Sequence, residues 1–155
     1  MDVSVRVSTP EDASFLRDMF FEVRAPEFIT AGLVGQQLEM LLAQQYGAMR
    51  THYDREYADA IYEVFELAGE RIGYQATVVL DSLHLIDISL VTRVRGNGIG
   101  TSRMMELQSR AAEMGLPMTL TVEKFNPAMR LYERLGFKPY MDSEVYLRMK
   151  WEGRV

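Results

Sequence analysis

The sequence predicts an α+β fold, a layered α/β arrangement in which strands and helices are interleaved along a single domain, residues 1–155. Three observations carry that expectation. Apolar residues alternate with period two in several short segments and recur at helical spacing in others, so both element types are present. Turn-forming clusters such as Ala68-Gly69-Glu70 and Asp81-Ser82 separate those segments. One apolar run, residues 83–91, leads to a glycine-rich loop, Arg95-Gly96-Asn97-Gly98-Ile99-Gly100, which opens into a helical pattern.

The elements follow in order. Val3, Val5 and Val7 alternate with polar residues and read as a first strand. Thr9 as N-cap, Pro10 at the first helical position and the acids behind it mark a helix start, with Phe15, Leu16, Met19, Phe20 and Val23 on one face. Pro26 is expected to end that helix, leaving residues 25–33 as a loop. A second helix is expected over residues 34–51, from the spacing of Leu38, Leu41, Leu42 and Met49. Residues 52–57 are charged and aromatic and match neither period. Two strands, 60–67 and 71–80, flank the Ala68-Gly69-Glu70 turn as a hairpin.

In the strand over 83–91, Ile86, Ile88 and Leu90 share one face while Leu85, Asp87, Ser89 and Val91 share the other. The helix after the glycine loop carries Met104, Leu107, Ala111 and Met114 on its buried side; Gly115 stops it and Pro117 prevents continuation. Residues 118–123 alternate as a further strand. Asn126 then caps a last helix, with Pro127 behind it and Gly136 at its close. Segments 137–141 and 145–149 predict a final hairpin, and 151–155 a tail.

Composition removes several classes of chemistry. The chain has no cysteine, which excludes disulfides, thiol nucleophiles and thiolate metal sites. Only His52 and His84 offer imidazole, far apart in sequence, so no metal site is expected. There is no Gly-x-Ser-x-Gly elbow for serine hydrolysis. The first residues, Met1-Asp2-Val3-Ser4, lack a signal pattern, and no apolar run approaches the ~20 residues of a membrane span; a cytoplasmic location is expected. A net charge of −5 argues against nucleic acid and for a cationic or amine-bearing substrate.

The glycine loop indicates an anion. Glycines at 96, 98 and 100 let the backbone turn tightly and meet a ligand closely. The first N–H groups of the following helix lack intrahelical acceptors and sit at the positive end of its dipole, which favours a phosphate. Spacing rejects the dinucleotide fingerprint, since Thr101 or Arg103 falls where the last glycine belongs, and it rejects a Walker loop, since Thr101 follows Gly100 where lysine is needed.

The pattern that fits is Arg/Gln-x-x-Gly-x-Gly/Ala, met by Arg95, Gly98 and Gly100. It resembles the coenzyme A pyrophosphate loop of the GNAT (Gcn5-related) N-acetyltransferase superfamily. A second stretch, Asn126-Pro127-Ala128-Met129-Arg130-Leu131-Tyr132 through Gly136-Phe137, resembles the Asn-x-x-Ala-x-x-Leu-Tyr-x-x-x-Gly-Phe segment of the same superfamily. One departure stands out: Thr92 replaces the proline common three residues ahead of the loop, which loosens the turn but removes no phosphate-facing donor. The resemblance implies the GNAT acyl-CoA N-acyltransferase fold, a mixed, mainly antiparallel sheet flanked by about four helices.

The resemblance further implies an acetyl-CoA-dependent N-acetyltransferase, with acetyl-CoA as co-substrate and no metal. The cofactor-contacting residues would be Ile88, Leu90, Arg95, Gly96, Asn97, Gly98, Ile99, Gly100, Thr101 and Asn126. A backbone N–H near Leu90 would serve the thioester carbonyl oxygen. Tyr132 would be the proton donor to the departing thiolate, although its stripe with Leu131 and Leu135 also suits a core residue. Asp87 and Glu123 compete as general base, and each has a plain alternative as a satisfied carboxylate on a half-open sheet. Asn126 is a helix cap and, by resemblance, a cofactor contact as well. The expected partner is a small-molecule or peptide amine, not nucleic acid or membrane, and a homodimer is allowed. The rival is a non-catalytic acyl-CoA-binding or sensory module on the same fold.

Overall fold

The computed structural model describes residues 2–153, and the chain divides into two compact units, residues 1–74 and 75–155. Residue 1 of the signal-pattern reading and residues 154–155 of the tail lie outside the described residues. Seven strands form one mixed sheet in the order β1-β2-β3-β4-β5-β7-β6, with four α-helices among the described residues. None of these helices is long and apolar enough to cross a membrane.

The first unit holds β1 (Val3–Val7), a 3₁₀ turn (Pro10–Asp12), α1 (Ala13–Thr30), α2 (Gly35–Glu56), β2 (Ile61–Leu67) and the first half of β3 (Glu70–Val79). Strand β1 runs antiparallel to β2 with Val5 opposite Phe65. The β2–β3 turn puts Ala68 and Gly69 at φ 52° and 81°, both left-handed, as a two-residue hairpin with right-handed strand twist requires. Asp12 organises the start of the unit. Its buried carboxylate accepts two bonds from the Arg6 guanidinium at 2.8 and 2.9 Å, one from Arg71 Nε at 2.7 Å and one from the Thr9 N–H at 2.8 Å. A buried carboxylate is tolerated only with such partners, and the Arg6 bonds above all hold its pKa well below the usual carboxylate range.

Two expectations fail in this unit. Pro26 does not end α1, which runs through it to Thr30. Proline's φ is itself helical; what it removes is one N–H and some room beside the carbonyl four residues back. The turn beyond it still closes, with Ala31 N–H on the Glu27 carbonyl at 3.2 Å and Leu33 N–H on that of Phe28 at 2.9 Å. The stop comes instead at Gly32, φ 92°. Helix α2 extends five residues past the expected end, through the unassigned stretch to Glu56. Contacts one turn apart support it: Arg50 with Asp54 at 3.7 Å, and the rings of Tyr53 and Tyr57 at 5.9 Å.

The second unit contains the rest of β3, then β4 (Leu83–Leu90), a 3₁₀ turn (Thr92–Val94), α3 (Ile99–Met114), β5 (Met118–Glu123), α4 (Met129–Arg134), β6 (Lys138–Asp142) and β7 (Tyr146–Trp151). Its core joins Leu85 of β4, Met104 and Leu107 of α3, Leu120 of β5, Tyr132 of α4 and Met149 of β7. Helix α3 ends as expected, with Gly115 left-handed at φ 71° and Leu116 N–H on the Ala111 carbonyl at 2.9 Å. The last helix begins two residues later than its cap suggested, at Met129 and not at Pro127. Asn126 Oδ1 accepts the Ala128 N–H at 2.8 Å and the Asn126 carbonyl accepts the Met129 N–H at 3.0 Å, so residues 126–128 form a tight turn before the first α-helical residue.

The site is positioned by how β4 meets β5. They are parallel, but the ladder pairs only Leu83, His84 and Leu85 with Met118, Thr119 and Leu120. Strand β4 continues to Leu90 and β5 to Glu123 without further pairing to each other, while β5 stays bonded to β7 along its whole length, from Met118 opposite Trp151 to Glu123 opposite Tyr146. The two strands therefore part toward their C-terminal ends.

Candidate active site

Residues 86–90 on the parted side of β4 are all half-buried, unlike Leu83 and Leu85 in the paired part. The 3₁₀ turn follows, and the loop is tied to the strand it leaves: Arg95 Nε donates to the Leu90 carbonyl at 3.0 Å. The Asn97 side-chain amide donates to the Val94 carbonyl at 3.0 Å, closing the turn from inside. These bonds give Arg95 and Asn97 a loop-shaping role that the motif alone did not specify.

Gly96 and Gly98 both stand at φ 80°, a conformation L side chains rarely adopt, so backbone geometry explains these two glycines. Gly100 is different. It lies in the first turn of α3 without left-handed φ, and an added Cβ would meet only Leu90 Cδ1, at 3.9 Å, an ordinary contact. Nothing in the chain's own packing requires glycine there. The first helical bond runs from the Ser102 N–H to the Gly98 carbonyl at 3.0 Å, so the N–H groups of Ile99, Gly100 and Thr101 precede the ladder and face outward along the helix axis. Ile99 is buried and anchors this helix start.

Tyr132 lies on α4 with its side chain 8% exposed, its ring edge-on to Phe137 at a centroid distance of 6.0 Å. Buried phenols ordinarily find a hydrogen-bond partner. The Tyr132 hydroxyl oxygen is not one of the sealed, unpaired atoms among the described residues, so it reaches solvent although the ring is buried. Burial, and then the negative charge of Asp87, push its pKa up to about 12. The fold thus brings Asp87 of β4 and Tyr132 of α4 into electrostatic reach across 45 residues of sequence.

Glu123 ends β5 opposite Tyr146, and its carbonyl accepts the Asn126 N–H at 3.1 Å. The carboxylate whose field reaches the phenol is that of Asp87. Ile88 and Leu90 lie on the parted side of β4, and Asn126 caps the turn at the tip of β5. His84 lies at the paired end of β4, its Nδ1 2.9 Å from Thr119 Oγ1. Among the described residues no group of three metal-ligating side chains comes together. Phe125, which no periodicity singled out, stands fully exposed at the tip of β5 in a left-handed conformation.

Residues 19–137 match the model of the acetyltransferase (GNAT) family, well over half of the chain. The chain belongs to the GNAT acetyltransferase family. No curated protein matches it in sequence. Solved structures match its fold over nearly the whole length. The PaiA N-acetyltransferase of Thermoplasma acidophilum, in complex with coenzyme A, is 17% identical with a TM-score of 0.72, covering 97% of this chain and 99% of its own. A histone acetyltransferase HPA2-related acetyltransferase of Corynebacterium glutamicum is 20% identical with a TM-score of 0.74, covering 100% and 98%. The ribosomal-protein-S18-alanine N-acetyltransferase of Escherichia coli is 15% identical with a TM-score of 0.70, covering 99% and 96%. At these identities the likeness is one of fold, and the mixed sheet with four helices is the GNAT fold. The matched span takes in both GNAT motifs, the Arg95–Gly98–Gly100 loop and the Asn126-to-Phe137 segment.

Proposed function

We propose that this GNAT member transfers the acetyl group of acetyl-CoA to a primary amine, by direct attack within a ternary complex. The observation that carries the reading is Tyr132, packed in the core on α4 with its hydroxyl oxygen not sealed from solvent and with the charge of Asp87 in electrostatic reach.

The residues present fit the co-substrate. Gly100 keeps clear a space that a Cβ would enter without touching anything but Leu90, and the N–H groups of Ile99, Gly100 and Thr101 are directed to the same side of the helix end. Gly98, with its left-handed backbone, turns the chain into this helix start. Such a cradle suits a pyrophosphate. When bound, acetyl-CoA supplies the thioester carbon that the amine attacks and the thiolate that leaves. The parted strand β4 would offer its backbone N–H near Leu90 to the carbonyl oxygen, where negative charge develops.

Asp87 is the carboxylate we assign to the amine proton, directly or through water. An alkylamine has a pKa of ~10.4 and must lose a proton to attack. With acetyl-CoA bound, Tyr132 would be the residue to serve the leaving thiolate. With its pKa at about 12 against ~8.5 for a free thiol, complete transfer from phenol to thiolate would be uphill by about 5 kcal/mol. Tyr132 therefore acts by donating a hydrogen bond to the charge developing on sulfur, and burial keeps it protonated for that task throughout the neutral range.

A thiol-release assay with acetyl-CoA against a panel of polyamines, amino acids, aminoglycosides and peptides tests the reading. Turnover with any amine supports it. Tight coenzyme A binding with no thiol release across the panel would favour the non-catalytic binding module.

A further inference from the structure

Phe125 is a residue that the chain's own folding does not account for. The Asn126 N–H donates to the Glu123 carbonyl at 3.1 Å, which closes a four-residue turn with Lys124 and Phe125 at its centre. Phe125 has φ 71° and Lys124 is not left-handed, which makes it a type II turn, whose third position favours glycine or asparagine. A bulky aromatic there is a true backbone outlier. The ring gains nothing in return, being 97% exposed. Strain of this kind, unsupported by packing, points to a use outside the chain.

The position of the turn narrows that use. Strands β4 and β5 are parallel, so the tip of β5 that carries Phe125 stands at the same end of the second unit as the loop that follows β4. The helix that Phe125 leads into lies on the same face as α3: the Gln108 side-chain amide donates to the Leu135 carbonyl at 2.8 Å, and Tyr132 shares a core with Met104 and Leu107. The turn and the Gly98–Gly100 helix start thus flank one end of the parting between the strands. A ligand seated with its pyrophosphate on that helix start has an apolar arm to bury in the parting and a nucleoside to leave outside. An exposed ring with free faces matches the outer part.

We infer that Phe125 stacks on the adenine of coenzyme A and fixes the nucleotide end of the co-substrate. The inference rests on the coenzyme A reading above. Base–aromatic stacking is worth enough that its loss weakens binding by about tenfold or more.

Calorimetry of the full chain with coenzyme A and with 4′-phosphopantetheine, which lacks the nucleoside, tests it. Phe125→Asn keeps a residue that tolerates the left-handed turn, so it should fold and melt no lower than wild type. It should bind coenzyme A about tenfold more weakly and phosphopantetheine within twofold of wild type, while Phe125→Trp should keep coenzyme A affinity. Unchanged coenzyme A affinity in the Asn variant, or an equal loss for phosphopantetheine, would overturn the stacking alone. A wild-type protein that binds no coenzyme A would overturn the underlying reading first, and the stacking with it.

Discussion

Gly100→Ala separates a ligand's demand from the protein's own. Glycine inside a helix is about 0.5–1 kcal/mol worse than alanine, chiefly because the unfolded chain has more freedom to lose. Gly100 lies in the first turn of α3, lacks left-handed φ, and its added Cβ would touch only Leu90 Cδ1 at 3.9 Å. No strain offsets the gain, so the variant should be more stable by up to about 1 kcal/mol, a rise in Tm of about 2–4 °C for a chain of this size. The same methyl group would intrude where the helix-start N–H groups meet pyrophosphate, so coenzyme A affinity should fall at least about tenfold, or ~1.4 kcal/mol. Scanning calorimetry and titration calorimetry on one preparation read both quantities. Gly98→Ala is the control in the opposite direction: at φ 80° an alanine costs about 1–2 kcal/mol, and Tm should drop. A Gly100→Ala protein that melts higher and binds coenzyme A as tightly as wild type would refute the cradle.

Tyr132→Phe removes no internal hydrogen bond, so Tm and coenzyme A affinity should hold near neutral pH while kcat falls about 10²-fold, the lower end for losing one hydrogen-bond donor to developing charge. Because burial raises the Tyr132 pKa from 10.0 to about 12, its contribution to stability is constant below pH ~10 and is lost as pH climbs toward the folded value; the Phe variant should lose less Tm than wild type between pH 9 and 11. Asp87→Asn should flatten the rise of kcat/KM with pH and lower the Tyr132 pKa in a tyrosinate absorbance titration, whereas a wild-type pH profile in both Asp87→Asn and Glu123→Gln would remove both carboxylates as base. Asp12→Asn should lower the midpoint of urea unfolding, since it weakens the carboxylate that Arg6, Arg71 and the Thr9 N–H share, while the half-exposed guanidiniums stay solvated. The Asp12 pKa is depressed on folding, so its contribution is present above pH ~4 and fades as pH falls toward the folded value; the gap between variant and wild type should narrow in acid.

What was legible from sequence alone is what depends on nearest neighbours along the chain. Left-handed turns favour glycine, so the stop at Gly115 and the turns at Gly69 and Gly98 could be placed from sequence, whereas the left-handed Ala68 and Phe125 could not. Alternation picked out Met118, Leu120 and Val122 of β5 as core residues, though not the burial of Thr119 between them, and the spacing of Arg95, Gly98 and Gly100 before a helix was enough to propose a phosphate loop. Tertiary structure decided the rest. Pro26 reads as a stop because propensity is local, yet the helix runs on because the turn beyond it still makes its backbone bonds. Residues 52–56 carry no clear period and are helical through contacts one turn back. The apolar positions of β4 change face between Leu85 and Ile86, yet that alone does not say which strand is lost there; the parting of β4 from β5 is shown by the ladder, which ends at Leu85. Asp87 and Tyr132 could be nominated one at a time, but burial and charge act through space and not along the sequence, so only the folded chain could show that burial of the phenol, and then the charge of Asp87, raise its proton affinity.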